Sequence, residues 1–263
     1  MAHEMAGLRA AKKEVRTLMR RKLSQMSTES VKQQSAVAAK TLMSLPEYKN
    51  AQRIGIYLSM PQCEISTKDI VYHGLREGRK VFVPYIYKFD AQGSVKPGLV
   101  MNMLSLHSLS DYENLSPDAW GIPSISEESV DERYQVLNAQ SDEVERTSQQ
   151  KPSGNKTSSR TESTERLDVI VMPGVAFDKS LGRLGHGKGF YDYFLDRYHC
   201  SMAAPMPFLG TCISSIPHVV SDSLSVGLSL DRQLLPDGQS VPTDASDYKL
   251  DALIVGDGTI VRS

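Results

Sequence analysis

Three short runs constrain this chain most: RIGIYLSM (53–60), LDVIVM (167–172) and DALIV (251–255) are apolar almost without interruption. A strand with one wet face alternates apolar and polar residues. A continuous apolar run is covered on both faces, as in a parallel sheet flanked by helices. KVFVPYIY (80–87) is also strand-like, with Pro84 shifting it toward an edge or a bulge. A segment near 98–104, FLGTCI (208–213) and SVGLSL (225–230) extend the set. Helical segments lie between them, so the pattern predicts a three-layer, Rossmann-like α/β domain with a mostly parallel sheet and flanking helices.

Residues 7–26 have helical periodicity. At about 100° per residue, Leu8, Ala11, Val15, Leu18 and Met19 make an apolar seam, and Arg9, Lys12, Lys13, Arg16 and Arg20 a cationic stripe beside it. Ser27, with Glu29 following, reads as the N-cap of a second helix running to about Leu45. Ser66 and Asp69 resemble a capping box for a helix over 67–77 that Gly78 stops. Residues 138–166 hold no aromatic residue and only Ala139 and Val144 as apolar ones, too little to offset ordering. The stretch 126–166 is therefore expected to be a disordered insertion within a single domain spanning 1–263.

Bulk charge excludes little but biases less: 30 Lys and Arg against 31 Asp and Glu leave a net charge of −1, with no overall pull toward nucleic acid or an anionic membrane. Cys63, Cys200 and Cys212 are odd in number and form no C-x-x-C pair, which predicts reduced thiols rather than a disulfide framework or a zinc site. No run has the length of a membrane span and no secretory signal opens the chain. A soluble cytoplasmic monomer is expected. A mitochondrial targeting role for the first helix is the rival, opposed by Glu4 and Glu14.

The densest chemistry lies in LGRLGHGKGFYDYF (181–194), where Gly182, Gly185, Gly187 and Gly189 precede a helix. The dinucleotide fingerprint fails because Phe190 stands where its third glycine belongs. A P-loop fits through Gly182, Gly187 and Lys188, then fails at Gly189, where a hydroxyl should hold magnesium. Open amides at a helix start, with Lys188 among them, still make an anion site suited to phosphate. A tight structural loop is the competing reading. Asp192, in the first helical turn, can supply the metal ligand the missing hydroxyl would have given, although acids favour that position anyway.

MPGVAFDKSLGRLGHGKGFYDYFLDR (172–197) resembles the signature of the 5-formyltetrahydrofolate cyclo-ligase family, also called methenyltetrahydrofolate synthetases. The resemblance continues in AAKKEVR (10–16), YLSMPQCEIST (57–67), AWGIP (119–123) and VPTDASDYKLDALIV (241–255). It covers nearly the whole chain outside the polar insertion, which is longer than the family pattern. His186 departs from the Arg or other bulky residue of that pattern.

The resemblance implies an enzyme that uses ATP and Mg²⁺ to convert 5-formyltetrahydrofolate to 5,10-methenyltetrahydrofolate, releasing ADP and phosphate, with no nucleic acid or membrane partner. It assigns ATP to Lys12, Lys13, Arg16, Arg183, Leu184, Gly185, His186, Gly187, Lys188, Gly189, Phe190, Tyr191 and Asp192, with Lys188 catalytic. It assigns the metal to Asp192 and Asp244, and folate to Glu64, Leu58, Met60, Trp120 and Tyr191. Plain alternatives stand beside several of these: a solvated face for Lys13, a loop cap for Arg183, a loop acid for Asp244, core packing for Leu58 or Met60 and for Trp120 and Tyr191. A binding protein that keeps the nucleotide or folate pocket without turnover is the alternative function. An unrelated kinase or sugar-phosphate isomerase on a similar sheet is a third.

Overall fold

The computed structural model describes residues 2–89, 98–137, 166–202 and 223–263. The chain opens with helices α1 (Ala2–Leu23), α2 (Thr28–Ser44) and α3 (Pro46–Asn50), then strand β1 (Arg53–Ile56), α4 (Lys68–Arg76), β2 (Lys80–Phe89) and β3 (Gly98–Ser105). α5 (Leu109–Glu113) and the short pair β4 (Ser116–Pro117) and β5 (Pro123–Ser124) follow. Next come β6 (Val169–Met172), the hairpin β7 (Ala176–Phe177) and β8 (Arg183–Leu184), α6 (Phe190–Met202), β9 (Leu224–Ser229), β10 (Ala252–Val255) and β11 (Ile260–Arg262).

Among the described residues, a seven-stranded sheet runs β11-β10-β9-β6-β1-β2-β3. The five inner strands are parallel, and β11 and β3 close the edges antiparallel. Every residue of β6 and β10 is buried, as their unbroken apolar sequences require. From β1 the chain crosses through α4 to β2 on one side; from β6 it crosses through α6 toward β9 on the other. Right-handed crossovers in opposite directions put α4 and α6 on opposite faces, giving the three layers expected.

Local signals behave as the residues dictate, with instructive departures. Ser27 caps α2, its hydroxyl accepting the Ser30 amide at 3.1 Å. At α4 the N-cap is Thr67 rather than Ser66, and it gives no side-chain cap, because its hydroxyl donates to the Tyr57 carbonyl at 2.7 Å. Pro84 is tolerated because β1 pairs with β2 only as far as Phe82, so from Pro84 onward the strand has β3 alone as partner.

The expected insertion starts later than 126. Residues 127–132 form a 3₁₀ turn and Arg133 is buried, held by Asp111 at 2.7 Å and by the Ser105 carbonyl at 2.8 Å, with Val136 and Leu137 in the core. Residues 138–165 and the FLGTCI segment lie outside the described residues. Cys63 is a free thiol, whereas Cys200 is disulfide-bonded, which corrects the expectation of three reduced thiols.

α1 belongs to the body of the protein. Met19 is fully buried among Val175, Ala176, Leu184, Leu235 and Val241, with Val15 packed alongside, a cluster separate from the main core. Burial of one such side chain contributes roughly 1.5–3 kcal/mol. Leu18, expected in the seam, is exposed instead, because the contact face is narrow and centred on Met19. The seam lays α1 over the β7–β8 hairpin and turns part of its cationic stripe toward the glycine loop.

Candidate active site

β1 stands between β6 and β2, where the direction of the crossovers reverses, and open α/β sheets bind ligands beyond the strand ends at that point. The segment leaving β1 is folded inward: the Tyr57 hydroxyl donates to the Ile65 carbonyl at 2.9 Å, and Glu64 is buried with its carboxylate accepting the Met60 amide. Burial pushes the Glu64 carboxyl up to about 7, only partly offset by that amide. Leu58 is part of the core, while Met60 is half-buried beside Glu64.

The segment leaving β6 first makes the β7–β8 hairpin. Its hub is Asp178, buried, accepting the amides of Ser180 at 2.8 Å, Gly182 at 2.9 Å and Val241 at 2.7 Å. A Cβ at Gly182 would stand 2.6 Å from Asp178 Oδ2. The hairpin therefore requires glycine at position 182.

Arg183 is buried one residue later. Nη2 donates to Asp192 at 2.8 Å and Nη1 to the Pro173 carbonyl at 3.3 Å, while Nε has no partner among the described residues. The guanidinium lies 5.7 Å from the ring centroid of Tyr191, whose buried hydroxyl also lacks a partner. Burial pushes that hydroxyl far up; Arg183 opposes the shift and Glu64 adds to it. Tyr57, Glu64, Tyr191 and Arg183 thus form one electrostatically linked group drawn from both sides of the switch point. A buried donor without a partner costs about 1–3 kcal/mol, and such groups gather where a ligand is meant to satisfy them.

Beside this group lies the glycine loop, clasped by α1. Arg16 Nε donates to the Gly185 carbonyl at 2.8 Å. Gly187 has φ +99°, and a Cβ there would meet the Arg16 guanidinium carbon at 3.2 Å, so both conformation and contact call for glycine. Gly189, at φ +70°, turns the chain into α6. His186, Gly187 and Lys188 are exposed, and Lys188 has no partner among the described residues. Leu184 is buried in the α1 cluster and Phe190 packs on the core.

Lys12, one turn before Arg16, is paired with Asp247 at 2.6 Å and Asp244 at 3.4 Å. Asp247 also accepts the Asp244 amide at 2.8 Å, and hydrogen bonds from Ser246 hold the Asp244 carboxyl below its usual range. Lys13 lies on the exposed side of α1, in line with a solvated face. Trp120 is 75% exposed, so core packing is not its role. It sits in a turn whose Gly121 comes within 2.9 Å of Pro61, measured from a built Cβ, and so beside the segment carrying Glu64.

Among the described residues, no three His, Cys, Asp or Glu side chains gather as a metal cage. Asp192, Asp244 and Asp247 each face a cation of the protein. This donor set fits a magnesium ion that arrives with phosphates and waters as most of its ligands and takes one or two carboxylates from the protein. Asp247 was missed in the sequence although it lies three residues after Asp244, because nothing local marks its pairing with Lys12.

Fold and site define an α/β protein with a buried polar group at the sheet's switch point and a cationic glycine loop beside it. The chain matches the 5-formyltetrahydrofolate cyclo-ligase family over residues 8–256. It belongs to that family.

Among its relatives, the probable 5-formyltetrahydrofolate cyclo-ligase of Schizosaccharomyces pombe is 27% identical over 249 residues, covering 95% of this chain and 97% of the relative. The mouse 5-formyltetrahydrofolate cyclo-ligase is 27% identical over 248 residues, 94% and 95% of the two chains. An Arabidopsis thaliana protein named as the mitochondrial cyclo-ligase is 26% identical, covering 98% of this chain and 78% of its own. The fold is shared with 5,10-methenyltetrahydrofolate synthetase of Aquifex aeolicus, at TM-score 0.58 and 22% identity over 96% of this chain and 92% of that one.

Proposed function

We propose that this chain converts 5-formyltetrahydrofolate to 5,10-methenyltetrahydrofolate with consumption of MgATP. The observation that carries the reading is the meeting of two unlike sites: a buried polar group around Glu64, Tyr191 and Arg183, partly unsatisfied among the described residues, and a glycine loop clasped by Arg16 with Lys188 unpaired among those same residues. The first suits a heteroaromatic ring with paired N–H donors, since among the described residues Glu64 accepts one amide and a carboxylate has further lone pairs. The second suits a polyphosphate.

The obstacle in the substrate is its formamide, whose oxygen leaves poorly. Transfer of the γ-phosphoryl to that oxygen creates an electrophilic carbon, the neighbouring amine closes the ring, and phosphate departs. Lys188 meets the charge that moves with the phosphoryl group, and Arg16 fixes the loop through Gly185. Lys12 reaches the phosphates by exchanging Asp247 and Asp244 for them. Asp192 and the Asp244–Asp247 pair would help hold a magnesium ion, which would neutralise charge on the triphosphate. Tyr191 and Trp120 flank the folate rings.

The α1 cations engage Gly185, Asp244 and Asp247 within the fold, which supports a structural and catalytic use of the stripe over a targeting one; we place the protein in the cytoplasm as a monomer. Among the described residues no helix is long and apolar enough to cross a membrane. Purified protein mixed with ATP, Mg²⁺ and 5-formyltetrahydrofolate should develop methenyl absorbance only when ATP is present. Saturable folate binding without ADP production would favour the non-catalytic alternative.

A further inference from the structure

His186 stands between the two residues that Arg16 grips. Arg16 Nε donates to Gly185 at 2.8 Å, and its guanidinium carbon lies 3.2 Å from the Cβ position of Gly187. Arg20 follows one turn later on the same face of α1. The imidazole is thus on a loop pinned against a doubly cationic helix, with Lys188 two residues on as a third positive charge. The carboxylates of Asp244 and Asp247 are paired with Lys12. Desolvation, Arg20 and Arg16 together hold the ring below the ordinary histidine range, so the free loop disfavours the imidazolium.

We propose that His186 couples nucleotide binding to the uptake of one proton: with a triphosphate on the glycine loop the ring becomes an imidazolium, and affinity rises as pH falls. The inference deepens the proposed nucleotide reading and rests on it. A triphosphate cancels the repulsion from Arg16, Arg20 and Lys188 and offers the ring an acceptor for its second N–H. Histidine is the side chain for which such a change crosses neutral pH, its unperturbed value being about 6.5. A fixed cation at this position would carry its charge in both states and add no pH term.

The sign follows from linkage. The proton is bound in the complex and not in the free protein only between the two pKa values. In that window affinity falls as pH rises, by at most about tenfold per pH unit for one linked proton, and outside it the slope vanishes.

Calorimetric titration of the full chain with MgATP, folate omitted so that nothing turns over, in buffers of different protonation enthalpy, counts the protons directly. Wild type should take up a larger fraction of a proton than H186Q across about pH 6 to pH 8, proton equilibria of the nucleotide cancelling in the difference. H186R should bind several-fold tighter than wild type at the alkaline end, with the gap closing at the acid end. Equal proton uptake by wild type and H186Q, both binding ATP, would overturn the coupling while leaving the nucleotide site standing. No saturable ATP heat in any of the three proteins would overturn the nucleotide reading and this inference with it.

Discussion

Arg183 and Asp192 form an ion pair at 2.8 Å that ties the β7–β8 hairpin to the first turn of α6, yet only the arginine is deeply buried, at 3% side-chain exposure against 24% for the aspartate. Asp192→Asn should leave a buried guanidinium without its counter-charge. Breaking a buried pair costs about 3–5 kcal/mol, and the solvent access of Asp192 lowers the expectation to roughly 2 kcal/mol. Urea unfolding measures it; a variant as stable as wild type would show that Arg183 does not depend on Asp192.

Lys188 is exposed and unpaired among the described residues, so its loss should not touch the fold. Lys188→Ala is expected within about 0.5 kcal/mol of wild-type stability and on the order of a hundredfold lower in kcat, with folate affinity unchanged. Equal losses in binding and turnover would contradict a role at the moving phosphoryl group.

Glu64 gives a pH-dependent stability. Its carboxyl rises from 4.5 to about 7 in the folded chain, so the native state binds the extra proton between those values. The contribution is full below about 4.5 and is lost as pH rises through 7, a swing of about 3 kcal/mol. Glu64→Gln keeps the neutral shape and should flatten that part of the stability profile, leaving the variant more stable than wild type in alkali. The same change should weaken folate binding while ATP affinity holds. Denaturant midpoints across pH and calorimetry with each ligand separate the two effects, and parallel pH profiles for both proteins would refute the first.

The glycines should divide by function. Gly182→Ala drives a methyl into Asp178 at 2.6 Å, an overpacking expected to cost about 1–3 kcal/mol. Gly187→Ala, at φ +99° against Arg16, should cost nearer 1–2 kcal/mol in stability but raise the KM for ATP strongly. Thermal melts and ATP kinetics on both variants check the division; a Gly182→Ala protein with normal melting would deny Asp178 its part as the hub.

Replacing 138–165 by a short Gly-Ser linker should leave melting temperature and turnover near wild type, since that composition cannot form a packed core. A variant that fails to fold would show that the segment supplies contacts its sequence does not advertise.

Much of the scaffold was legible from local sequence. Unbroken apolar runs marked β6 and β10, Ser27 marked the start of α2, and the glycine loop announced a close approach before α6. The site was legible in part. The sequence pointed to Glu64 beyond β1 and to Arg16 on a cationic face, but not to what either meets. Leu18 was assigned to a seam it does not join, and the close contact between Gly182 and Asp178 was not foreseen. Residues 127–137 lie close in sequence to a polar stretch and yet are anchored by Arg133 to Asp111.

Periodicity, capping and backbone permissiveness act over a few residues, so the sequence alone determined that this chain builds a parallel sheet and holds an open glycine loop before a helix. Desolvation and ion pairing depend on which distant side chains share a volume with little water. Only the tertiary structure decided that Lys12 faces Asp247 rather than solvent, that Asp178 occupies the space beside Gly182, and that Glu64 and Tyr191 are buried close enough to interact, with the Glu64 carboxyl raised to about 7.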